Sequence, residues 1–211
     1  EHAEIQSVFD FFQSIDDRFS TYKHTSEISQ LNRGELNLEN VSDDMLEILT
    51  LADTTRLETD GFFDIRTPEG LLDPSGIVKG WAVRNAAQLI ESMGHYDFWV
   101  EAGGDIQTSG FNSKGTPWRV GIRNPFAREE VVRVIAPRGK GVATSGTYAR
   151  GKHIYDPHAA RPVTSPYVSI TVIGSDVYEA DRYATAAFAM GEKGLQFLES
   201  TPNLEAYAID S

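Results

Sequence analysis

The chain contains no cysteine. Disulfides, thiolate catalysis, zinc–thiolate sites and iron–sulfur clusters are therefore excluded, although the compartment is not thereby decided. Positive charge is also scarce. Nineteen Lys and Arg stand against 31 Asp and Glu, a formal net charge of −12. Such a surface disfavours non-specific nucleic-acid binding, which needs cations to neutralise backbone phosphates. An anionic ligand would need a bound metal or a local cationic group to offset the repulsion. No apolar run approaches the roughly 20 residues of a membrane span. No secretory leader is expected, since Glu1–Glu4 opens directly into an amphipathic segment. Internal repeats, low-complexity tracts and linker-like composition shifts are missing as well. So are His-Glu-x-x-His and the Gly-x₄-Gly-Lys-Ser/Thr phosphate loop.

What remains is a chain of 211 residues, 40% hydrophobic and 24% charged, which suits one globular domain. Ile5, Val8, Phe9, Phe12, Ile15 and Phe19 recur at helical spacing and predict a core-facing helix. Residues 20–34 read as a polar loop with at most one helical turn. Ser42 is a candidate N-cap, with Val41 and Leu46 as a staple, for a helix reaching about Asp60 and closed by Gly61. Pro68, Gly70, Pro74 and Gly76 punctuate a long loop, after which residues 78–93 are helical again. Strand-like alternation follows at 98–102, 118–122, 131–135, 141–145, 152–155 and 167–173. Helices are expected at 177–190 and 193–199, and a last strand at 206–209. Helices, then strands, then helices, then a strand make α+β more fitting than a doubly wound sheet.

Four segments could carry chemistry. Asp181 and Thr185, four apart in a predicted helix, place a carboxylate and a hydroxyl on one face. That suits a hard cation such as Mg²⁺, which takes few protein oxygens and completes its shell with water and phosphate. The alternative is a solvated Asp and a Thr bonded to its own backbone. Asp73-Pro-Ser-Gly-Ile-Val-Lys-Gly80 opens a helix. Gly76 lets a backbone carbonyl approach a ligand, and Lys79 could meet a phosphate near the helix start. The alternative is a plain loop-to-helix junction with Lys79 solvated. Glu101-Ala-Gly-Gly-Asp105 is either a ligand-approaching loop or a tight turn between strands. His153, in a Gly-flanked polar strand, could accept a proton from an attacking hydroxyl; alone it reads as a surface histidine. The other histidines (2, 24, 95 and 158) show no metal-ligand spacing.

Taken in order, Phe19-Ser-Thr-Tyr22, Ser26-Glu-Ile-Ser-Gln-Leu-Asn32, Gly61-Phe-Phe-Asp64, Asp73–Gly80, Glu101–Asp105, Ala143-Thr-Ser-Gly146, His153-Ile-Tyr-Asp-Pro157 and Ala180–Ala186 resemble the ApbE family of FAD:protein FMN transferases. The match spans about residues 5–195. It begins at the helix that follows the family's usual first strand. The resemblance implies a single domain of mixed, mainly antiparallel sheets flanked by helices, with a flavin cleft between subdomains. It implies FAD as substrate and Mg²⁺ as cofactor. The FMN half would move onto a Ser or Thr hydroxyl of a target protein through a phosphodiester, releasing AMP; some relatives hydrolyse FAD to FMN and AMP instead. A non-catalytic flavin-binding module is the third reading. By position, Asp181, Thr185 and the Gly76 carbonyl would bind Mg²⁺. Tyr22, Phe62, Phe63, Asp64, Asp73, Lys79 and Tyr155 would line the FAD site, and His153 would be general base. Glu101 replaces the family's usual Asn, and Tyr155 a common aliphatic residue. The acceptor motif, a Ser/Thr-Gly-Ala-Ser/Thr run, is absent here, and Ser145-Gly-Thr147 is only a partial echo. The partner is thus expected to be another protein bearing that motif, not this chain. Location in the periplasm or on the outer face of the cytoplasmic membrane is implied, through an anchor outside this chain if membrane-bound, with the cytoplasm as alternative.

Overall fold

The computed structural model describes residues 2–146, 155–159, 161–163 and 165–210, with the backbone only at 128, 155, 161 and 162. Four helices come first: α1 (His2–Phe19), α2 (Glu27–Asn32), α3 (Asp43–Glu58) and α4 (Ser75–Ser92). Strands β1 (Phe98–Ala102), β2 (Asp105–Ser109), β3 (Val120–Asn124), β4 (Ala127–Ile135) and β5 (Gly141–Gly146) follow. Short strands β6 (Tyr155–Asp156) and β7 (Arg161–Pro162) precede β8 (Tyr167–Gly174), α5 (Val177–Ala189), α6 (Gly194–Ser200) and β9 (Glu205–Asp210). The main sheet is antiparallel throughout, in the order β1-β2-β5-β8-β9. β3 and β4 form a separate hairpin. The fold is α+β, as the order of elements predicts.

Local chemistry explains the element ends. Ser42 caps α3 by accepting from the Met45 N–H at 3.2 Å, and Asp176 caps α5 by accepting from the Glu179 N–H at 2.9 Å. The expected staple is only half formed. Val41 packs on the core, but Leu46 is 45% exposed and Met45 takes the buried position. α4 begins three residues earlier than expected. Gly76 reads as loop on propensity, yet it packs against Phe63 and Thr185, and tertiary contact overrides the local cost of glycine. α2 is a full six-residue helix, capped by Ser26. β2 is an element the alternation pattern misses, because its polar Asp105, Gln107 and Thr108 are buried. In α1, Ile15 and Phe19 are buried, but Ile5 and Phe9 lie exposed at the far end.

α5 is the central element. Eleven of its 13 residues are buried, Asp181 and Arg182 included. Successive helical residues point about 100° apart, so the two charges face different neighbours. Arg182 turns to α3, where it bonds Glu58 and donates to Thr55 Oγ1 at 3.2 Å. Its guanidinium also lies 4.1 Å from the Tyr183 ring centroid. Asp181 turns to α4, where its Oδ2 accepts the Gly80 N–H at 2.8 Å. The helices touch at Gly80. A Cβ there would lie 2.6 Å from Asp181 Cβ and 2.8 Å from the Val177 carbonyl oxygen.

Gly80→Ala therefore sets two effects against each other. Helix propensity alone would favour Ala by about 1 kcal/mol. Overpacking against immovable backbone costs about 1–3 kcal/mol and wins. The variant is expected to be less stable than the parent in urea denaturation, and a gain in stability would contradict this packing.

Candidate active site

A cavity of about 700 Å³ opens where α4, α5, the main sheet and the β3–β4 hairpin meet. Its walls come from sequence-distant stretches. The loop after α3 brings Phe62, Phe63 and Asp64; the start of α4 brings Asp73, Gly76 and Lys79; α5 brings Asp181 and Thr185. These are eight of the eleven residues singled out above. Tyr22 is not among them: it is 97% exposed, in the turn after α1, and does not line the cavity. His153 lies outside the described residues, as does the side chain of Tyr155.

The surroundings decide what each residue can do. Phe63 is 3% exposed and packs in the core, so it is wall more than platform. Phe62 stands edge-on to the His158 ring, with centroids 4.6 Å apart, and His158 Nε2 lies 2.9 Å from the Asp60 carbonyl. The turn containing Pro157 and His158 is thereby docked beside the cavity. Asp64 and Asp73 each cap their own loop, accepting from the Arg66 N–H at 2.8 Å and the Ser75 N–H at 3.0 Å.

At the floor, Thr185 Oγ1 lies 3.3 Å from Ser145 Oγ on β5. A Cβ on Gly76 would lie 3.3 Å from Thr185 Cγ2, which shows how closely the two segments approach. The Gly76 carbonyl is the ordinary helical acceptor for the Gly80 N–H. It competes for that donor with Asp181 and keeps lone-pair capacity for a ligand. Asp181 is 3% exposed, so it is no solvated surface acid.

Residues that sequence reasoning did not assign stand in the cavity wall and just behind it. Asp105, 1% exposed, places Oδ2 2.7 Å from Lys79 Nζ, and the same Nζ is 3.7 Å from Asp181 Oδ1. Burial pushes the Asp105 carboxyl well above the usual carboxylate range; the neighbouring Asp181 charge adds to this, and the Lys79 ammonium opposes it. Gly103 and Gly104, at φ 60° and 95°, form the turn that brings Asp105 into register opposite Ala102. The paired glycines thus serve a hairpin. The one signal for Asp105 was an acid directly after that turn. Trp99, Trp118, Arg119 and Arg123 complete the rim. With Lys79, the two arginines supply local positive charge in a strongly acidic chain.

The family model described as "ApbE family" matches residues 2–69 and 66–208. The chain belongs to the ApbE family. Among related ApbE proteins, the FAD:protein FMN transferase of Vibrio cholerae is 38% identical over 135 residues, covering 60% of this chain and 40% of that protein. The Haemophilus influenzae FAD:protein FMN transferase is 27% identical, covering 99% of this chain and 78% of that protein. The solved flavin transferase ApbE from Vibrio cholerae superposes with a TM-score of 0.84 at 26% identity, covering 99% of this chain and 88% of the other. The chain spans about two-fifths of the length of the first of these curated relatives in the matched region. The ApbE fold expected from the motifs is therefore present over essentially the whole chain.

The wall of α5 facing away from the ApbE cavity supplies a pH test. The Tyr183 phenol donates to Glu58 Oε2 at 3.1 Å and is buried. Burial pushes its pKa up to about 12; Arg182 opposes this and the Glu58 charge adds to it. A raised folded value means that the neutral phenol's contribution to stability is full below its unfolded value of about 10. It is lost as pH rises through about 12. Ultraviolet phenolate titration should show a late-ionising tyrosine, and Tyr183→Phe should remove that step. An unchanged titration curve would contradict the burial of this hydroxyl.

Proposed function

We propose that this chain transfers the FMN moiety of FAD onto a Ser or Thr hydroxyl of another protein, releasing AMP. The observation that carries the reading is the cavity floor, where Gly76, Lys79, Asp181 and Thr185 converge from two distant helices in a chain of this family. In the reaction the acceptor oxygen bonds to the FMN phosphorus, the P–O bond to AMP breaks, and the hydroxyl proton leaves. FAD and R–OH become R–O–FMN and AMP.

The oxygens at the floor fit a divalent cation. A carboxylate, a hydroxyl and a backbone carbonyl are hard donors. Among the described residues no three His, Asp or Glu side chains converge as a metal cluster, so much of the shell falls to water and substrate phosphate, as Mg²⁺ prefers. Bound there, Mg²⁺ would neutralise the diphosphate charge that a −12 protein otherwise repels. Asp181, Thr185 and the Gly76 carbonyl would hold it. Lys79, Arg119 and Arg123 add cationic groups around the same space. Phe62, Trp99 and Trp118 offer aromatic surface for the ring systems. Phosphoryl displacement depends chiefly on such positioning and charge neutralisation. His153 is proposed as the base that takes the acceptor's proton. The acceptor is proposed to carry the Ser/Thr-Gly-Ala-Ser/Thr-like motif. The proposed place of work is the periplasm or the outer face of the cytoplasmic membrane. No helix among the described residues is long and apolar enough to cross one.

Incubation with FAD, Mg²⁺ and an acceptor protein should add an FMN-sized mass to the acceptor. AMP release that does not need an acceptor would identify an FAD pyrophosphatase instead, and tight FAD binding without AMP a non-catalytic module. Asp181→Ala should abolish metal-dependent turnover. His153→Ala should slow transfer about 10²–10⁴-fold while FAD binding is kept. Equal loss of binding in the His153 variant would remove its assignment as base.

A further inference from the structure

Just behind the cavity wall lies a buried acid that touches the lining residue Lys79 and for which the transfer reaction has no use. Asp105 heads β2 with only 1% of its surface exposed. Among the described residues its carboxyl group faces the Lys79 ammonium and the Asp181 carboxylate. Lys79 Nζ lies 2.7 Å from Asp105 Oδ2 and 3.7 Å from Asp181 Oδ1, and the side chains of the two acids are 1% and 4% exposed. The Lys79 ammonium thus approaches both buried carboxylates and sits closer to the one that is not a proposed metal ligand. Three elements converge on this arrangement. Lys79 comes from the second turn of α4, Asp105 from the first residue after the Gly103–Gly104 turn, and Asp181 from the middle of α5.

Lysine and a divalent cation compete for the same carboxylate. An ammonium paired closely with Asp181 would have to be displaced before a metal could use those lone pairs. Breaking a buried pair is costly unless the released charge has another partner. Asp105 is that partner, and it is already in contact. We propose that Asp105 is a positioning residue: it holds the Lys79 ammonium away from Asp181 and so keeps Asp181 available to a divalent cation. Lys79 is thereby held with 23% of its side chain exposed at the cavity, where its charge can still meet an anion. This role rests on the reading of Asp181 as a metal ligand.

A double-mutant cycle reads it directly, through metal binding and not through turnover. Mn²⁺ alone, without nucleotide, is titrated into the wild type, Asp105→Asn, Lys79→Met and the double variant, and free Mn²⁺ is followed by electron paramagnetic resonance. Partners that orient metal ligands typically change affinity about 10–100-fold when removed. Asp105→Asn is therefore expected to weaken Mn²⁺ binding at least about tenfold with Lys79 present. In the Lys79→Met background the same change should cost under about threefold, because the competing ammonium is gone. An equal loss in both backgrounds would mean that Asp105 is itself a ligand or a background charge, and would overturn the positioning role. No loss in either background would overturn it as well. If the wild type binds no Mn²⁺, the metal reading of Asp181 fails first and this role with it. Binding without coupling fails this role alone. Asp105→Ser, which leaves room for a water, supplies the same cycle should Asp105→Asn not fold, with folding checked by circular dichroism.

Discussion

At Gly80 the backbones of two helices come so close that no methyl group fits between them. Everything at the cavity floor depends on that contact. It lets Asp181, on a helix buried almost all round, accept a backbone N–H from α4. It sets Gly76, one helical turn earlier, against Thr185, one turn further along α5. It also brings Lys79 within reach of two acids. A close-packed interior transmits position, so a single absent side chain fixes the geometry of four present ones.

The second constraint is charge. A chain with net charge −12 would need local positive charge to hold the diphosphate substrate proposed for it. The cavity meets this by gathering cations from separate elements: Lys79 from α4, and Arg119 and Arg123 from the β3 hairpin and the approach to it. Burying acids at the same place is expensive unless each has a partner. Lys79 answers for Asp105 and Asp181, while Arg182, one residue further along α5, answers for Glu58 on the opposite side. One helix therefore carries a cavity-facing charge and a structural charge on adjacent residues, separated by the helical turn angle.

Legibility varied along the chain for physical reasons. α3, α5 and the strands at β1, β5 and β8 were readable because caps and alternation are local. β2 was not, since a strand lined by Asp105, Gln107 and Thr108 breaks the apolar pattern, and those side chains find their partners across the fold. The apolar stripe of α1 was readable as a helix, but not the fact that Ile5 and Phe9 near its start stay exposed while Ile15 and Phe19 are buried. Tyr22 carried the right residue type and the right motif, yet the turn holding it points to solvent. Phe63 was expected to line the FAD site; it does line the cavity, but most of its ring is packed in the core.

Composition and spacing alone determined the class of fold, the absence of cysteine chemistry, the need for borrowed positive charge and the pairing of a carboxylate with a hydroxyl on one helical face. Those properties follow from local geometry and from counting. Tertiary structure decided which acid Lys79 serves, which glycines are required by close approach and which aromatic residues reach the cavity. Each of these depends on contacts between residues tens of positions apart, and no local period encodes such distances.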